Sequence, residues 1–316
     1  MHMPNPAPSS LHASVLLRDA VEMLVTDPDG FYVDGTFGRG GHALEVLSRL
    51  SPEGKLLAID RDPDAISAGA GHLAADERIE LVLSRFSRLP ELAAARGMTG
   101  KVAGILVDLG VSSPQLDDAG RGFSFQSSGP LDMRMSTDGP SAADWLNSAE
   151  QDEIANVLWE YGEERLSRRI ARAIVRQRED QPFETTAQLA AVVRSAYPGY
   201  QKKDPATRTF QAVRIHINQE LAEVAELLDA SLELLAPAGR LVVISFHSLE
   251  DRLVKRFIRK HSSQVTTPRD IPQAVVGGES PRLRAIGKAR RASEIEVAGN
   301  PRARSAVMRV AERLAS

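Results

Sequence analysis

Between residues 31 and 108 the apolar positions fall in short blocks separated by stretches with helical spacing. Phe31-Tyr-Val-Asp34, Lys55-Leu-Leu-Ala-Ile-Asp60, Ile79 to Leu83 and Val102-Ala-Gly-Ile-Leu-Val-Asp108 each read as a strand. The last is apolar almost throughout, as a strand covered on both faces must be. An amphipathic pattern predicts a helix from His42 to Leu50, and Pro63 suits the first turn of the next one. Strands alternating with helices at this spacing predict a parallel sheet with right-handed crossovers.

The rhythm changes after Asp108. Leu109 to Pro140 is rich in Gly, Ser, Asp and Pro and is too long for an ordinary connection, which marks it as functional. Helical patterns without strands follow, at Ser141–Asn147, Gln151–Tyr161, Glu163–Glu179 and Thr186–Tyr197, the first capped by Ser141 with Asp144. A long helical stretch is predicted from about Thr207 to Leu235. Then come a turn at Pro237-Ala-Gly-Arg240, a strand at Leu241–Phe246 and an amphipathic helix at Ser248–His261. Val265 to Arg302 reads as loop, and Ser305 to Val310 as a last strand. The pattern predicts an α/β sheet domain, residues 1–115 and 211–316, interrupted by an all-helical insertion at residues 116–210.

Composition narrows the chemistry. The 316 residues contain no cysteine, so disulfides, thiolate metal sites and cysteine nucleophiles are excluded. A net charge of −3 gives no bulk attraction to a polyanion, so any nucleic-acid partner has to be met by local patches. Three such patches stand out: Arg165, Arg168, Arg169, Arg172 and Arg176 at helical spacing; Arg252, Lys255, Arg256, Arg259 and Lys260; and a tail with Arg282, Arg284, Lys288, Arg290, Arg291, Arg302 and Arg304. The tail is the strongest of the three, because a loop-like stretch orders on RNA; a solvated helix face is the plainer alternative for the first. Trp159 and Tyr161 fall within an apolar helical pattern and read as core. Met1 to Ser14 has neither a basic nor an apolar leader pattern, and no apolar run nears the roughly 18 residues of a membrane span, so a cytoplasmic location is expected.

The run Asp34-Gly-Thr-Phe-Gly-Arg-Gly-Gly41 lies between a predicted strand and a helix, where glycines let the backbone turn and approach a ligand. Asp60 ends the second strand 20 residues after Gly40, where a carboxylate accepts hydrogen bonds from ribose hydroxyls. The two together point to an adenosine-containing cofactor. Asp34 and Asp108, at two strand ends, suit a cationic cofactor better than a pyrophosphate, without settling the choice. His42 and His247 lack metal-ligand spacing, and no metal is expected. In the segment after Asp108, aromatic residues beside arginines (Arg121-Gly-Phe-Ser-Phe125) suit a flipped base and its backbone.

Five segments together resemble one family: Asp34–His42, Asp108–Phe125, Pro205-Ala-Thr-Arg-Thr-Phe-Gln211, Ile244-Ser-Phe-His-Ser-Leu-Glu-Asp251 and Asn300-Pro-Arg-Ala-Arg-Ser305. The family is that of the bacterial 16S ribosomal RNA (cytosine-N4)-methyltransferases, and the resemblance runs from about His12 to Arg313. Asp204 stands where the family has His, and the tail around Ala292 departs from its pattern. The resemblance implies a class I, Rossmann-like S-adenosylmethionine-dependent fold with a helical insertion that recognises RNA. It implies S-adenosylmethionine as cofactor, held by Gly40, Gly41, His42, Asp60, Phe86, Asp108 and Gln115. The implied partner is the 16S RNA of the small ribosomal subunit, and the implied reaction is N4-methylation of a decoding-centre cytidine. Asp108, or the Ser112-Ser113-Pro114 loop, is the candidate acceptor for the amine protons. With no cysteine, the covalent route to C5 methylation is closed. Two other readings stay open at this point: a nicotinamide-dependent oxidoreductase, which shares the glycine loop and Asp60, and a non-catalytic RNA-binding assembly factor.

Overall fold

The computed structural model describes residues 14–73, 75–199, 201–262 and 280–315. The polar start and residues 265–279 of the loop-like segment lie outside them. Five parallel strands form the body of one sheet: β1 (Phe31–Asp34), β2 (Lys55–Asp60), β3 (Ile79–Leu83), β4 (Val102–Asp108) and β5 (Leu235–Ser245). Three further strands, β6 (Leu283–Ala285), β7 (Arg290–Arg291) and β8 (Val307–Arg313), complete the order β3-β2-β1-β4-β5-β8-β6, with β7 also on β8. β8 runs antiparallel to β5, a reversal that apolar blocks do not announce. This is the Rossmann-like order with one reversed strand. It changes direction between β1 and β4, and a crevice opens there at the carboxyl ends of the strands.

Alternating side chains put the two faces of the sheet into two cores. Leu57, Ile59, Ile105, Val107, Leu241 and Val243 point to one face, beneath α4 (Leu89–Ala95), α11 (Glu220–Leu234) and α12 (Ser248–Ser262). Leu56, Ala58, Leu106, Val242 and Ile244 point to the other, against α1 (Leu17–Leu24), α2 (Gly41–Leu47) and α3 (Pro63–Leu73). Each fully buried Leu or Ile contributes roughly 1.5–3 kcal/mol. Gly104 is a contact point: a Cβ there would lie 2.7 Å from Leu24 Cδ1, so α1 rests directly on β4. Among the described residues no helix is long and apolar enough to cross a membrane.

A third core belongs to the helical segment. It gathers Phe123, Leu131, Met133 and Met135 with the buried faces of α6 (Ala142–Ser148), α7 (Gln151–Gly162), α8 (Ser167–Asp180), α9 (Thr186–Ala196) and α10 (Ala206–Asn218). The Gly/Ser-rich stretch after β4 therefore contributes apolar anchors to a core, between α5 (Ser113–Asp117) and α6. Ser141 and Asp144 form the expected reciprocal cap, with Asp144 N donating to Ser141 Oγ at 3.1 Å and Ser141 N to Asp144 Oδ2 at 2.9 Å. Asp204, the departure from the family pattern, caps α10 through Ala206 N at 3.0 Å and pairs with Arg194 at 2.6 Å.

Several sequence expectations need correction, among them the loop-like Val265–Arg302, whose described part holds β6, β7 and a short helix, Glu294–Gly299. The helix predicted from Glu163 begins at Ser167, because Glu163 sits at φ +48° and ends α7. The turn at Pro237–Arg240 is a bulge inside β5: Leu235 pairs with Val102 and Arg240 with Gly104, with Ala238 at φ +65°. The stretch Thr207–Leu235 is two helices, α10 and α11, broken at Gln219, whose φ is +52°. Gln219 is exposed and β-carbon crowding penalises this conformation, so Gln219→Gly is expected to stabilise the protein by about 1 kcal/mol. A shift of the urea midpoint upward at unchanged slope is the result to look for; a downward shift would show that the break is not strained.

Candidate active site

Asp34 and Asp108 end the two strands that flank the switch in strand order, and a cleft opens there. Its walls are the β1 loop Gly35–Arg39, the β4 loop Asp108–Gln115, Asp60 and Arg61 after β2, and Phe86. From the other side come Met135, Glu220, Glu223, Phe246 and Glu250, with Asn300 and Arg302 at the rim. Of the sequence-predicted residues, His42, Asp60, Phe86, Asp108 and Gln115 line this cleft and Gly40 and Gly41 do not. Gly40 takes φ +77° to start α2, and a Cβ on Gly41 would lie 2.1 Å from Ser14 Oγ. These glycines shape the wall from behind, and Gly38, at φ +55°, presents its backbone to the cleft instead.

Asp60 organises the loop it faces. Its Oδ2 accepts the Gly38 N–H at 2.7 Å and its Oδ1 accepts the Asp62 N–H at 2.9 Å, which leaves further lone pairs toward the cleft. Burial holds its pKa above the usual carboxylate range despite those bonds. Asp62 is buried and accepts from Gln115 Nε2 at 2.7 Å and from Arg121 Nη1 at 2.9 Å. Gln115 Oε1 in turn accepts the Ser112 N–H at 2.9 Å. The polar atoms of Gln115 thus tie the β4 loop to the end of β2, a bracing role alongside its place in the wall. Arg121 extends the brace, with Nη2 donating to the carbonyls of Arg134 and Met135, both at 3.1 Å.

Buried carboxyl oxygens without partners mark the cleft floor and the strand end behind it. Asp34 is fully enclosed; its Oδ1 accepts the Thr36 N–H at 3.1 Å, while Oδ2 has no partner. Burial, against the Thr36 bond and with a push from Asp60, raises its pKa to about 7. Asp108 Oδ1 also lacks a partner, and its pKa is raised well above the carboxylate range by burial and by repulsion from Asp34 and Glu250. His42, buried beside it, has Nε2 at 3.2 Å from the Val15 carbonyl. A carbonyl only accepts, so Nε2 carries the proton and Nδ1, 3.8 Å from Asp108 Oδ2, presents a lone pair. Burial lowers the His42 pKa to about 4, so the ring is neutral at physiological pH.

Glu220, Glu223 and Glu250 add three buried carboxylates that sequence patterning did not single out. Arg214 chelates Glu220 at 2.8 and 2.9 Å, and Arg85 holds Glu223 at 2.8 Å, leaving Glu223 Oε2 without a partner. Glu250 accepts the Phe246 N–H at 2.8 Å and lies 3.1 Å from His247 Nε2. Burial alone would raise its pKa; His247, Arg214 and the Phe246 N–H bring it below the ordinary value. Glu220, His247 and Glu250 offer ligand atoms within 4.8 Å of one another, a grouping their spacing in the sequence conceals. With both Glu220 oxygens held by Arg214, the group reads as a structural network. The sequence signal for Glu220 and Glu223 was hidden by the unforeseen break at Gln219, which turns the start of α11 toward the cleft.

The acid-rich floor tests the choice of cofactor. An anionic pyrophosphate would meet Asp60 and Asp108 with Asp34 buried close behind them, whereas a cation offsets the burial, and the lesser mutual repulsion, that raise their pKa values. The donor and acceptor set, with Phe86 and Phe37 as apolar surfaces, therefore fits S-adenosylmethionine. A pH test follows for the ligand-free protein. Ionising a carboxyl whose native pKa is raised destabilises the fold as pH climbs from its unfolded value toward about 7. Asp34→Asn removes that penalty, so wild type and variant are expected to match near pH 4 and the variant to be more stable by pH 8. The difference isolates Asp34 from His42, whose lowered pKa acts with opposite sign over the same window. Parallel urea midpoints across pH 4–8 would refute the raised pKa.

Comparison with known proteins gives a consistent result. The profile of the MraW methylase family matches residues 9–314. A protein of Chromohalobacter salexigens named ribosomal RNA small subunit methyltransferase H is 57% identical over 306 residues, covering 96% of this chain and 92% of that one. Its namesake from Thioalkalivibrio sulfidiphilus is 53% identical, covering 98% and 99%. Among solved structures, a putative methyltransferase of Streptococcus mutans in complex with SAH aligns over 99% of this chain and 100% of that one, at 11% identity and a TM-score of 0.42.

Proposed function

Since the chain belongs to the MraW methylase family, and is thereby an S-adenosylmethionine-dependent methyltransferase of ribosomal RNA, we propose that its target is the exocyclic N4 of a decoding-centre cytidine in 16S RNA. The observation that carries this reading is the carboxyl of Asp108, a buried acceptor with an unpartnered oxygen at the cleft floor. Such an atom is satisfied by an N–H donor, and an exocyclic amine supplies one. The missing cysteine removes the covalent route to C5. The cytoplasm is the proposed site of action, and the helical segment 116–210 the proposed RNA-recognition domain.

S-adenosylmethionine supplies, when bound, an electrophilic methyl group on a sulfonium. Asp60 has free lone pairs for ribose hydroxyls, Phe86 gives an apolar surface, and His42, Gly40 and Gly41 set the wall behind them. The cytosine amine is a weak nucleophile because its lone pair is delocalised into the ring. Asp108 and the Ser112-Ser113-Pro114 loop accept its N–H groups, which restores electron density at nitrogen and takes up the proton. Thr36 Oγ1 receives the Asp108 N–H at 2.6 Å and so fixes the strand end. The bracing of the β4 loop by Gln115, Asp62 and Arg121 holds these acceptors in place, and positioning contributes much of the acceleration.

The test is incubation with small ribosomal subunits and methyl-labelled cofactor, followed by nucleoside analysis. Label in N4-methylcytidine at a single decoding-centre position is expected, with assembled subunits labelled faster than naked RNA. Label on C5, on adenine or nowhere would refute the assignment.

A further inference from the structure

Trp159, read from the sequence as core, is 62% exposed and is the largest side chain on the described surface to be so open. The reason is angular. Ile154, Val157 and Leu158 define a buried arc of α7, and at 3.6 residues per turn Trp159 lies roughly 150° away from its middle. It shares the outer face with Asn156, Glu160 and Glu163, above an open groove completed by Arg165, Arg208 and Arg252. Tryptophan is highly buried on average, and here the exposed indole stands over a groove lined by arginines.

We infer that this groove holds a single-stranded RNA nucleotide neighbouring the one being methylated, its base stacked on Trp159 and its phosphates on Arg165 and Arg208. The inference rests on the RNA-methyltransferase reading above and assigns how the strand is gripped outside the cleft. Three cations face two carboxylates in the groove, and one of those, Glu163, is neutralised by Arg252 at 2.9 Å and bonded by Ser248 Oγ at 3.2 Å. Among the described residues Arg165 and Arg208 have no carboxylate partner within ion-pair distance. The same holds for Arg168, Arg169, Arg172 and Arg176, exposed along α8, which continue the positive surface from Arg165. The basic tail differs: Arg282, Arg284, Arg290 and Arg302 face Glu233, Glu312, Asp19 and Asp117.

Continuity with the cleft supplies the second argument. The first turn of α12 serves both places, with Glu250 lining the cleft while Leu249 and Arg252 line the groove. A strand that delivers one base to Asp108 therefore passes Trp159 within the same short stretch. A paired stem would hide its base faces, so the indole selects unpaired RNA; stacking of this kind tolerates any base.

The experiment titrates the full-length protein with a single-stranded RNA oligonucleotide of about ten nucleotides spanning the target, following tryptophan fluorescence, and measures KM and kcat on small subunits. Quenching in wild type is expected to be largely lost in Trp159→Phe, which keeps most of the affinity because phenylalanine also stacks. Trp159→Ala is expected to weaken oligonucleotide binding roughly 5- to 100-fold and to raise KM for subunits similarly, with kcat and S-adenosylhomocysteine affinity unchanged. Arg208→Gln is expected to reduce the salt-dependence slope by about one. Unaltered oligonucleotide affinity in Trp159→Ala overturns the inference. A raised KM for subunits with normal oligonucleotide binding also overturns it, by making the groove a contact for ribosomal protein. Because oligonucleotide binding is read without methyl transfer, failure of the N4 assignment would leave this result intact and be recognised separately.

Discussion

Asp60→Ala is expected to weaken S-adenosylhomocysteine binding by roughly 100- to 1000-fold, the largest loss of affinity from any single truncation in the cleft. Two charge-assisted hydrogen bonds from ribose hydroxyls to one carboxylate, at roughly 1.5–2 kcal/mol each, the lower part of the usual range, account for that loss. The product is the better probe, since it lacks the sulfonium and so separates the ribose contact from attraction to the acidic floor. Alanine has a second effect: the N–H groups of Gly38 and Asp62 lose the acceptors that they have at 2.7 and 2.9 Å. Asp60→Asn retains an acceptor oxygen and is expected to lose closer to tenfold. Calorimetric titration of both variants, with circular dichroism to establish folding, makes the comparison. A folded Asp60→Ala protein with wild-type affinity would remove Asp60 from the cofactor site and the assigned cleft with it.

What the sequence disclosed and what it concealed follow from the range of the interactions involved. Strands β1 to β4 were legible because each is a contiguous apolar block, and their carboxyl ends carry the acids directly in sequence: Asp34, Asp60 and Asp108. His42, Phe86 and Gln115 were reached through the family motifs. Asp62 follows Asp60 closely, yet its burial depends on Gln115 and Arg121 from beyond β4, a contact no local pattern reports. Glu220 and Glu223 were lost for a different reason. Gln219 carries no glycine or proline signal, so its left-handed backbone, and the turn that swings α11 against the cleft, are imposed by packing. Arg61 shows how: its Nη1 reaches the Asn218 carbonyl at 2.8 Å, and Asn218 in turn bonds the backbone of Met133 and Met135. For Trp159 the direction is legible in the sequence, since its angular offset from Leu158 follows from helix geometry, whereas its hydrophobicity alone points inward.

Asp108→Ala is expected to lower kcat on small subunits by roughly 100- to 1000-fold, within the range for removal of a positioned acid–base group or a preorganised charge partner. Burial, with repulsion from Asp34 and Glu250, raises the pKa of the Asp108 carboxyl in the free protein, and the group accepts a proton only once ionised. A bound cation favours ionisation, and the rate is therefore expected to rise with pH until Asp108 has titrated in the complex. Asp108→Asn keeps an acceptor oxygen but has nothing to titrate, so its residual activity is expected to be flat across that limb. A folding defect is an unsuitable explanation for such a loss, because removing Asp108 also removes its repulsion with Asp34 and Glu250. Both variants are accordingly expected to unfold at higher urea than wild type at pH 8, with activity and stability moving in opposite directions. Wild-type kcat in Asp108→Ala would transfer the acceptor role to the Ser112-Ser113-Pro114 loop. Lower stability at pH 8 would mean that the charge on Asp108 is compensated, and that the acidic floor does not select a cationic cofactor through charge repulsion.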